Sequence, residues 1–326
     1  MKNHLLFFAV ALIIIFAIAG CKKEKNVTGV TIEPEILTLL IDETATLTAT
    51  VQPNDATNKA VAWTSSDTEI ATVFNGTVTA KAAGMATITV TTVEGGFTAE
   101  CVVVVQREPG IVINGIKWAT RNLAAHGKFV ENPEDYGALF QWGRKGDGHE
   151  QRTSPNYPTN DNSFENGVVS GPALDANGQI VGTHAAYGKF IKQDEEPYDW
   201  RTPQNDALWN SGTETIPIKT ANDPCPVGWR VPTEAELQSL LDSGNEWGEL
   251  NGVSGSYFGN ETERLFLPAA GCRRLSDGRI NCTEVYGRYW SSLLEIYGVI
   301  LLFGESTYSV SPAASAFGLS VRCVAE

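Results

Sequence analysis

Three oxygen-rich stretches in the middle of the chain could bind a calcium ion. Asp161 and Glu165 stand in the segment NDNSFE, Asp175 follows in DANG, and Asp206 ends the segment QND. Calcium takes about six to eight oxygen ligands, many of them from carboxylates and amide carbonyls. Asp161, Glu165 and Asp175 are therefore candidate calcium ligands, although polar loops of this composition more often only contact water.

Aromatic side chains in the same region could hold the face of a sugar ring by stacking. Burial in a core is the commoner fate of tryptophan, and Trp229 and Trp290 stand in motifs that are typical of a scaffold. Trp200 and Trp209 instead lie in a loop-rich segment, with Asp206 between them. These three residues are the predicted ligand contacts. The four histidines lack zinc-binding spacing, and His149 beside Asp147 is only a weak hint of a metal site.

The cysteines point to disulfides rather than to a reactive thiol. Cys101 stands in the strand-like AECVVVV and is expected to be a buried apolar side chain. Cys272 and Cys282 flank a predicted turn at SDG and are natural partners, which leaves Cys225 to pair with Cys323. Four cysteines allow three pairings, so the other two remain open.

The segment DPCPVGWRVPTEAELQSLL predicts the best-defined helix of the chain. Thr233 and Glu236 form a capping box, in which each side chain accepts a hydrogen bond from the other residue's backbone. Leu237, Leu240 and Leu241 give the buried stripe, and Gly244 ends the helix. Every residue of this segment therefore has a structural role before any chemistry is considered.

The first residues predict export and a lipid anchor. The apolar run over residues 5–18 is too short to span a bilayer comfortably and fits the core of a signal peptide at residues 1–20. It ends in IAGC, which resembles the bacterial lipobox, and this resemblance implies lipidation of Cys21 and a tether at 21–26. Removing Lys2 with the signal changes the net charge from −14 to −15, and such a surface disfavours nucleic acid as a partner.

Residues 27–106 predict an all-β module. VTGVTI, ATLTATV, VAWTSS, GTVTA and ATITVTT are β-branched runs with alternating polarity, separated by turns. We expect Val61, Trp63, Ile70 and Val73 to supply much of the core. The runs closely resemble the bacterial immunoglobulin-like group 2 domain, which implies a β-sandwich that is usually a spacer or adhesive unit of cell-surface proteins.

Residues 111–326, after a short linker at 107–110, predict a module of mixed character. Asn114-Gly115 signals a hairpin, and residues 143–221 lack periodicity and are expected to form loops and short strands. DPCPVGWRVPT, LPAAG, YWSS and GLSVRCV resemble the Fibrobacter succinogenes major paralogous domain. That resemblance implies an α+β, C-type-lectin-like fold, in which cysteines tie an early helix to the last strand, and an exported binding protein.

The competing functions are an enzyme, a binding head and a structural unit. RVPTEAEL resembles the formylglycine-generating enzymes, but the chain has no counterpart of their GNVWEW segment and Cys323 is better used in a bridge. We therefore expect a non-enzymatic, mainly β lipoprotein of the outer membrane, whose stalk presents an adhesion head to a glycan or surface protein. A structural or tip component of a fimbria-like assembly is the alternative. Surface exposure is expected, but KKEKN lacks the acidic cluster of surface-exported lipoproteins, so the periplasmic face stays open.

Overall fold

The computed structural model describes residues 24–106, 108–159, 166–196, 198–294 and 296–326. The fold is mainly β, as predicted, and the described residues contain one α-helix, of nine residues. In these same ranges no helix is long and apolar enough to cross a membrane. Cys21 and the predicted signal peptide lie outside the described residues.

The N-terminal region is built from short antiparallel strands around one parallel pair. Its strands are β1 (Gly29–Glu33), β2 (Ile36–Leu40), β3 (Thr44–Thr46), β4 (Thr48–Gln52), β5 (Val61–Ser65), β6 (Ala71–Phe74), β7 (Thr77–Ala80), β8 (Gly84–Thr92) and β9 (Thr98–Gln106). The largest sheet has the order β2-β9-β8-β5, with β2 parallel to β9. It faces the smaller sheets β1-β4 and β3-β7-β6 across a shared core, which gives the predicted two-layer arrangement.

The core of this region differs in part from the prediction. Val78, Ile88 and Val90 are completely buried and alternate with partly exposed neighbours along β7 and β8. Trp63 is only partly buried, because β5 is an edge strand with a neighbour on one side alone. Val61, Ile70 and Val73 are likewise only partly buried. Cys101 is a free, fully buried thiol, as predicted.

We call residues 110–326 the head. Its elements are β10 (Gly110–Ile113), β11 (Ile116–Ala119), β12 (Leu123–Ala125), β13 (Lys128–Phe129), β14 (Phe140–Gln141), β15 (Asn156–Tyr157), β16 (Phe190–Ile191), β17 (Trp229–Arg230), α1 (Glu234–Asp242), β18 (Asn245–Leu250), β19 (Val253–Gly259), β20 (Arg264–Pro268), β21 (Cys272–Arg273), β22 (Ile280–Asn281), β23 (Tyr286–Leu294), β24 (Gly298–Gly304), β25 (Thr307–Ala313), β26 (Gly318–Leu319) and β27 (Val324–Ala325). A 3₁₀ turn spans Gly171–Ala173. β27 pairs with β11 and β17, which joins the end of the head to its beginning.

The two strongest local predictions for the head are confirmed. Asn114 and Gly115 both have positive φ and connect β10 to β11, as a two-residue hairpin turn requires. Thr233 and Glu236 form the capping box of α1. Leu237 and Leu240 are buried beneath this helix, together with side chains of β23, β24 and β27.

One of the two predicted disulfides is present. Cys225 and Cys323 are bonded across a separation of 98 residues. The predicted bridge between Cys272 and Cys282 is wrong, because both are free thiols. The register of β21 and β22 pairs Cys272 with Asn281, so Cys282 lies one residue beyond the position opposite Cys272. A shift of one residue places a side chain on the other face of a strand. Arg288 Nη1 instead donates to the sulfur of Cys272 over 2.7 Å.

Buried arginines hold the aperiodic part of the head together. A buried loop must find partners for its backbone carbonyls, and a guanidinium offers five N–H donors in a fixed fork. Arg322 donates to Asn122 Oδ1 and to the Ala119 carbonyl. Arg273 donates to carbonyls of Gln151, Ser154 and Gly278 and to the Asn156 side chain. Burial lowers the pKa of both arginines to about 10, so both remain charged near neutral pH.

Candidate functional site

An open cleft of about 430 Å³ lies in the loop-rich part of the head. We call it the Tyr187 cleft. Its lining includes Lys145, Asp147, Asp175, Gln179, Val181 and Tyr187. Two charged loops therefore face an aromatic ring across a space large enough for a small ligand.

The first wall of the cleft, residues 145–147, is held from below by the preceding residue, Arg144. The guanidinium of this buried residue donates to Gln141 Oε1 at 2.9 Å, to the Lys189 carbonyl at 2.9 Å and to Asp147 Oδ2 at 2.6 Å. Burial alone would raise the pKa of the Asp147 carboxyl, but His149 and Arg144 hold it below its ordinary value. Asp147 is therefore ionised, and Arg144 and His149 hydrogen-bond its two oxygens.

His149 completes this network in a defined tautomer. Its Nε2 atom accepts a hydrogen bond from the backbone N–H of Gln141 at 3.2 Å, so the proton must be on Nδ1, which lies 2.7 Å from Asp147 Oδ1. Burial, reinforced by the charge of Arg144, lowers the pKa of His149, and the ring is neutral. Both ring nitrogens are thus occupied, which leaves neither free to act as a general base.

The same tautomer argues against a metal ion at this point. Asp147, His149 and Glu150 have potential ligand atoms within 4.8 Å of one another. However, Nδ1 carries a proton, and Arg144 already neutralises Asp147. A ligating histidine must present a lone pair to the metal. The cluster therefore fits a hydrogen-bonded brace better than a metal centre.

The second wall of the cleft is a turn organised by Asp175. Its Oδ1 atom accepts the backbone N–H groups of Asn177 and Gln179, each at 2.9 Å. The Gln179 side chain then joins the two walls: its Oε1 accepts the Lys145 N–H at 2.7 Å, and its Nε2 donates to the Gly143 carbonyl at 2.9 Å. The exposed Asp175 carboxylate thus keeps Oδ2 for other partners.

Tyr187 supplies the aromatic side of the cleft. Its side chain is 45% exposed, while the preceding Ala186 is fully buried and anchors the turn. The Tyr187 N–H donates to the His184 carbonyl at 3.0 Å. The sequence GTHAAYGKF has small residues around one tyrosine, and this was the signal that could have indicated an aromatic held at the surface.

The prediction that Trp200 and Trp209 contact a ligand is wrong. Both are completely buried in the main core of the head. The Trp200 indole N–H donates to the Trp142 carbonyl at 2.7 Å, and that of Trp209 donates to the Arg144 carbonyl at 3.2 Å. A lack of periodicity does not keep a large aromatic at the surface when buried hydrogen-bond acceptors are available for its N–H. The two rings instead support the first wall of the cleft.

The other predicted ligand contacts have separate outcomes. Asp206 is exposed and does not line the Tyr187 cleft. Asp161 and Glu165 lie outside the described residues. Asp175 does line the cleft, and the calcium expected with it stays a prediction.

A buried carboxyl beside Trp200 predicts a pH-dependent stability. Asp199 is 3% exposed, and burial raises its pKa to about 6. Because the folded state binds this proton more tightly than the unfolded state, stability falls as pH rises from about 4 to 6, by up to about 3 kcal/mol for this group. Asp199→Asn should therefore be more stable than wild type at pH 7 and flatten this part of the curve. Urea unfolding at several pH values checks this, and an unchanged pH slope would contradict it.

Comparison with known proteins identifies the N-terminal region. Residues 26–103 match the bacterial Ig-like domain (group 2) family. An alpha-L-arabinofuranosidase of Bifidobacterium longum subsp. longum is 47% identical over 81 residues, which are 24% of this chain and 8% of that protein. An Ig-like virion protein of Serratia phage KSP90 is 47% identical over 81 residues, which are 24% of this chain and 31% of the phage protein.

The chain thus spans less than a third of the length of either relative. Among solved structures, domains 5–6 of the S-layer protein SbsC align over 91% of this chain and 96% of their own length, with 14% identity and a TM-score of 0.23. At this TM-score the alignment does not establish a shared fold. The family match does cover almost all of β1 to β9, and residues 26–103 therefore form a bacterial Ig-like domain of group 2.

Proposed function

We propose that this protein is a lipid-anchored protein of the bacterial cell envelope, in which the Ig-like domain is a stalk and the head binds an external glycan or protein. The observation that carries the proposal is the Tyr187 cleft, an open cleft with an exposed aromatic ring on a rigid, hydrogen-bonded floor. Such clefts with few polar groups in fixed positions are typical of ligand sites.

Two further observations support an exported protein. The apolar run and the IAGC sequence at Cys21 are those expected of a lipoprotein signal. The disulfide between Cys225 and Cys323 is of the kind that persists in oxidising compartments outside the cytoplasm. The Ig-like relatives include a virion protein, so this type of domain serves in at least one assembled particle.

An enzymatic role is less well supported. The Cys323 sulfur is used in the bridge, and both ring nitrogens of His149 are occupied by hydrogen bonds. Cys272 is a buried thiol whose pKa is raised by burial, against the opposing effect of Arg288, and a thiol of raised pKa is a poor nucleophile. We therefore favour binding over catalysis.

Display of the head can be tested on intact cells. The full chain is expressed in a Gram-negative host together with a Cys21→Ser variant, and Cys282→Ser is the matched cysteine control. We expect wild type and Cys282→Ser in the membrane fraction, with the head removed by brief protease treatment of intact cells. Cys21→Ser should leave the membrane fraction. Loss of the head only after lysis would contradict surface display, and membrane retention of Cys21→Ser would contradict the lipid anchor.

A further inference from the structure

We propose that the Tyr187 cleft is a carbohydrate-binding site that acts without a metal ion. This inference rests on the proposed binding role of the head and names the ligand class and the residues that contact it. Its three contacts are the Tyr187 ring, the Asp175 carboxylate and the Lys145 ammonium group.

The aromatic ring gives the first contact. A sugar ring carries C–H groups on one face, and these pack against the negative face of an aromatic ring. Tyr187 is 45% exposed, which leaves a large apolar surface in water beside polar groups. Its backbone N–H is bonded within a turn, and its neighbour Ala186 is fully buried, so the base of the side chain is held in place. Stacking a sugar on this ring would therefore cost little conformational entropy of the protein.

The charged groups give the second contact. A sugar hydroxyl can both donate and accept a hydrogen bond. Asp175 has one oxygen committed to its own turn and is exposed, so its second oxygen can accept from a hydroxyl. Lys145 is also exposed, and its side chain can donate to a hydroxyl oxygen. A carboxylate and an ammonium on opposite walls match a ligand that needs both acceptors and donors but carries no net charge.

The walls are held at a fixed separation by buried contacts. Gln179 binds the Lys145 N–H and the Gly143 carbonyl, while Arg144 binds Asp147 and Gln141. The tryptophans that hold this wall from below are completely buried. A cleft that is already formed spends little of the binding energy on ordering its own loops.

Binding is expected to need no metal, for a reason that is specific to this cleft. The nearest cluster of potential metal ligands contains Asp147, whose two oxygens are bonded to His149 and Arg144. A divalent ion there would have to displace the Nδ1 proton of His149 and share a carboxylate with a buried arginine. The Asp147 cluster therefore supplies no metal ion to the cleft, and we expect the sugar to contact Tyr187, Asp175 and Lys145 directly.

The test uses the purified mature chain, residues 21–326, with xylan, mannan, laminarin, arabinan and mucin as probes, each with calcium and with EDTA. Tyr187→Ala should weaken binding to whichever probe the wild-type chain binds by roughly tenfold, the loss expected when one stacking contact is removed. Tyr187→Phe keeps the ring and should bind within about threefold of wild type. Asp175→Asn keeps Oδ1 for the turn and should weaken binding by several-fold, as should Lys145→Met. Tyr297→Ala, at a tyrosine that is 37% exposed outside the cleft, is the matched control and should bind normally.

Each outcome separates this inference from the proposed function. EDTA-resistant binding that depends on Tyr187 and not on Tyr297 supports the inference. Binding that EDTA abolishes overturns the metal-free site. Binding that Tyr187→Ala leaves unchanged overturns the cleft as the site but leaves a binding head. No binding to any probe, with the head still accessible to protease on cells, overturns carbohydrate recognition while the display role stands.

Discussion

Replacing both Cys225 and Cys323 by serine is expected to lower the free energy of unfolding of the head by about 4–5 kcal/mol. In the chain-entropy model this value follows from the length of the closed loop, which spans 98 residues. The bridge joins the segment before β17, in the middle of the head, to the segment before β27 at its end, and these two strands pair with each other. Calorimetry should show the melting temperature of the head falling by roughly 10–15 °C.

The matched control is Cys282→Ser, at a partly exposed free thiol that takes part in no bridge. It should melt within about 1 °C of wild type, as is usual for a substitution outside the core. Equal melting of the double variant and wild type under oxidising conditions would contradict the stabilising role of the bridge. A large loss in Cys282→Ser would show instead that this thiol matters for the fold.

Replacing Arg144 by methionine is expected to destabilise the head by about 3–5 kcal/mol. The substitution leaves the Asp147 carboxylate, whose side chain is 11% exposed, without its cationic partner, and an unpaired buried charge is costly. It also removes donors from Gln141 Oε1 and the Lys189 carbonyl. Chemical denaturation at pH 7 measures the loss, and a change below about 1 kcal/mol would contradict the role given to this network.

The pH dependence of this variant gives an independent readout. Arg144 helps to hold the pKa of Asp147 below its ordinary value. A carboxyl whose pKa is lowered in the folded state contributes stability at neutral pH, and this contribution is lost as pH falls. The deficit of Arg144→Met should therefore shrink below about pH 4. The double variant Arg144→Met/Asp147→Asn removes the unpaired charge and should recover part of the stability at pH 7.

Local signals were enough to predict the regular elements. The Asn114-Gly115 turn and the capping box of Thr233 and Glu236 depend on interactions within a few residues, and both are present. The strands of the Ig-like domain follow from β-branched residues that alternate with polar ones. Where an element is decided by its own residues, the pattern in the chain is sufficient.

The candidate site could not be predicted in this way, because contacts between distant segments create it. Arg144 is ordered by Gln141, Lys189 and Trp200, and no local pattern connects these residues. Trp200 and Trp209 are buried although their segment lacks periodicity, because a loop with hydrogen-bond partners can lie inside the core. The predicted bridge between Cys272 and Cys282 is wrong because the register of the two strands differs by one residue from the register that the turn suggested.

Adhesion of intact cells tests whether the displayed head binds through the Tyr187 cleft, on a surface coated with the polysaccharide that the purified chain binds. Cells that carry the full wild-type chain, Tyr187→Phe or Tyr297→Ala should adhere in the presence of EDTA. Fewer cells with Tyr187→Ala should adhere at equal expression, and brief protease treatment should release the wild-type cells. Equal adhesion of Tyr187→Ala and wild-type cells, or adhesion that survives removal of the head, would contradict binding through the Tyr187 cleft.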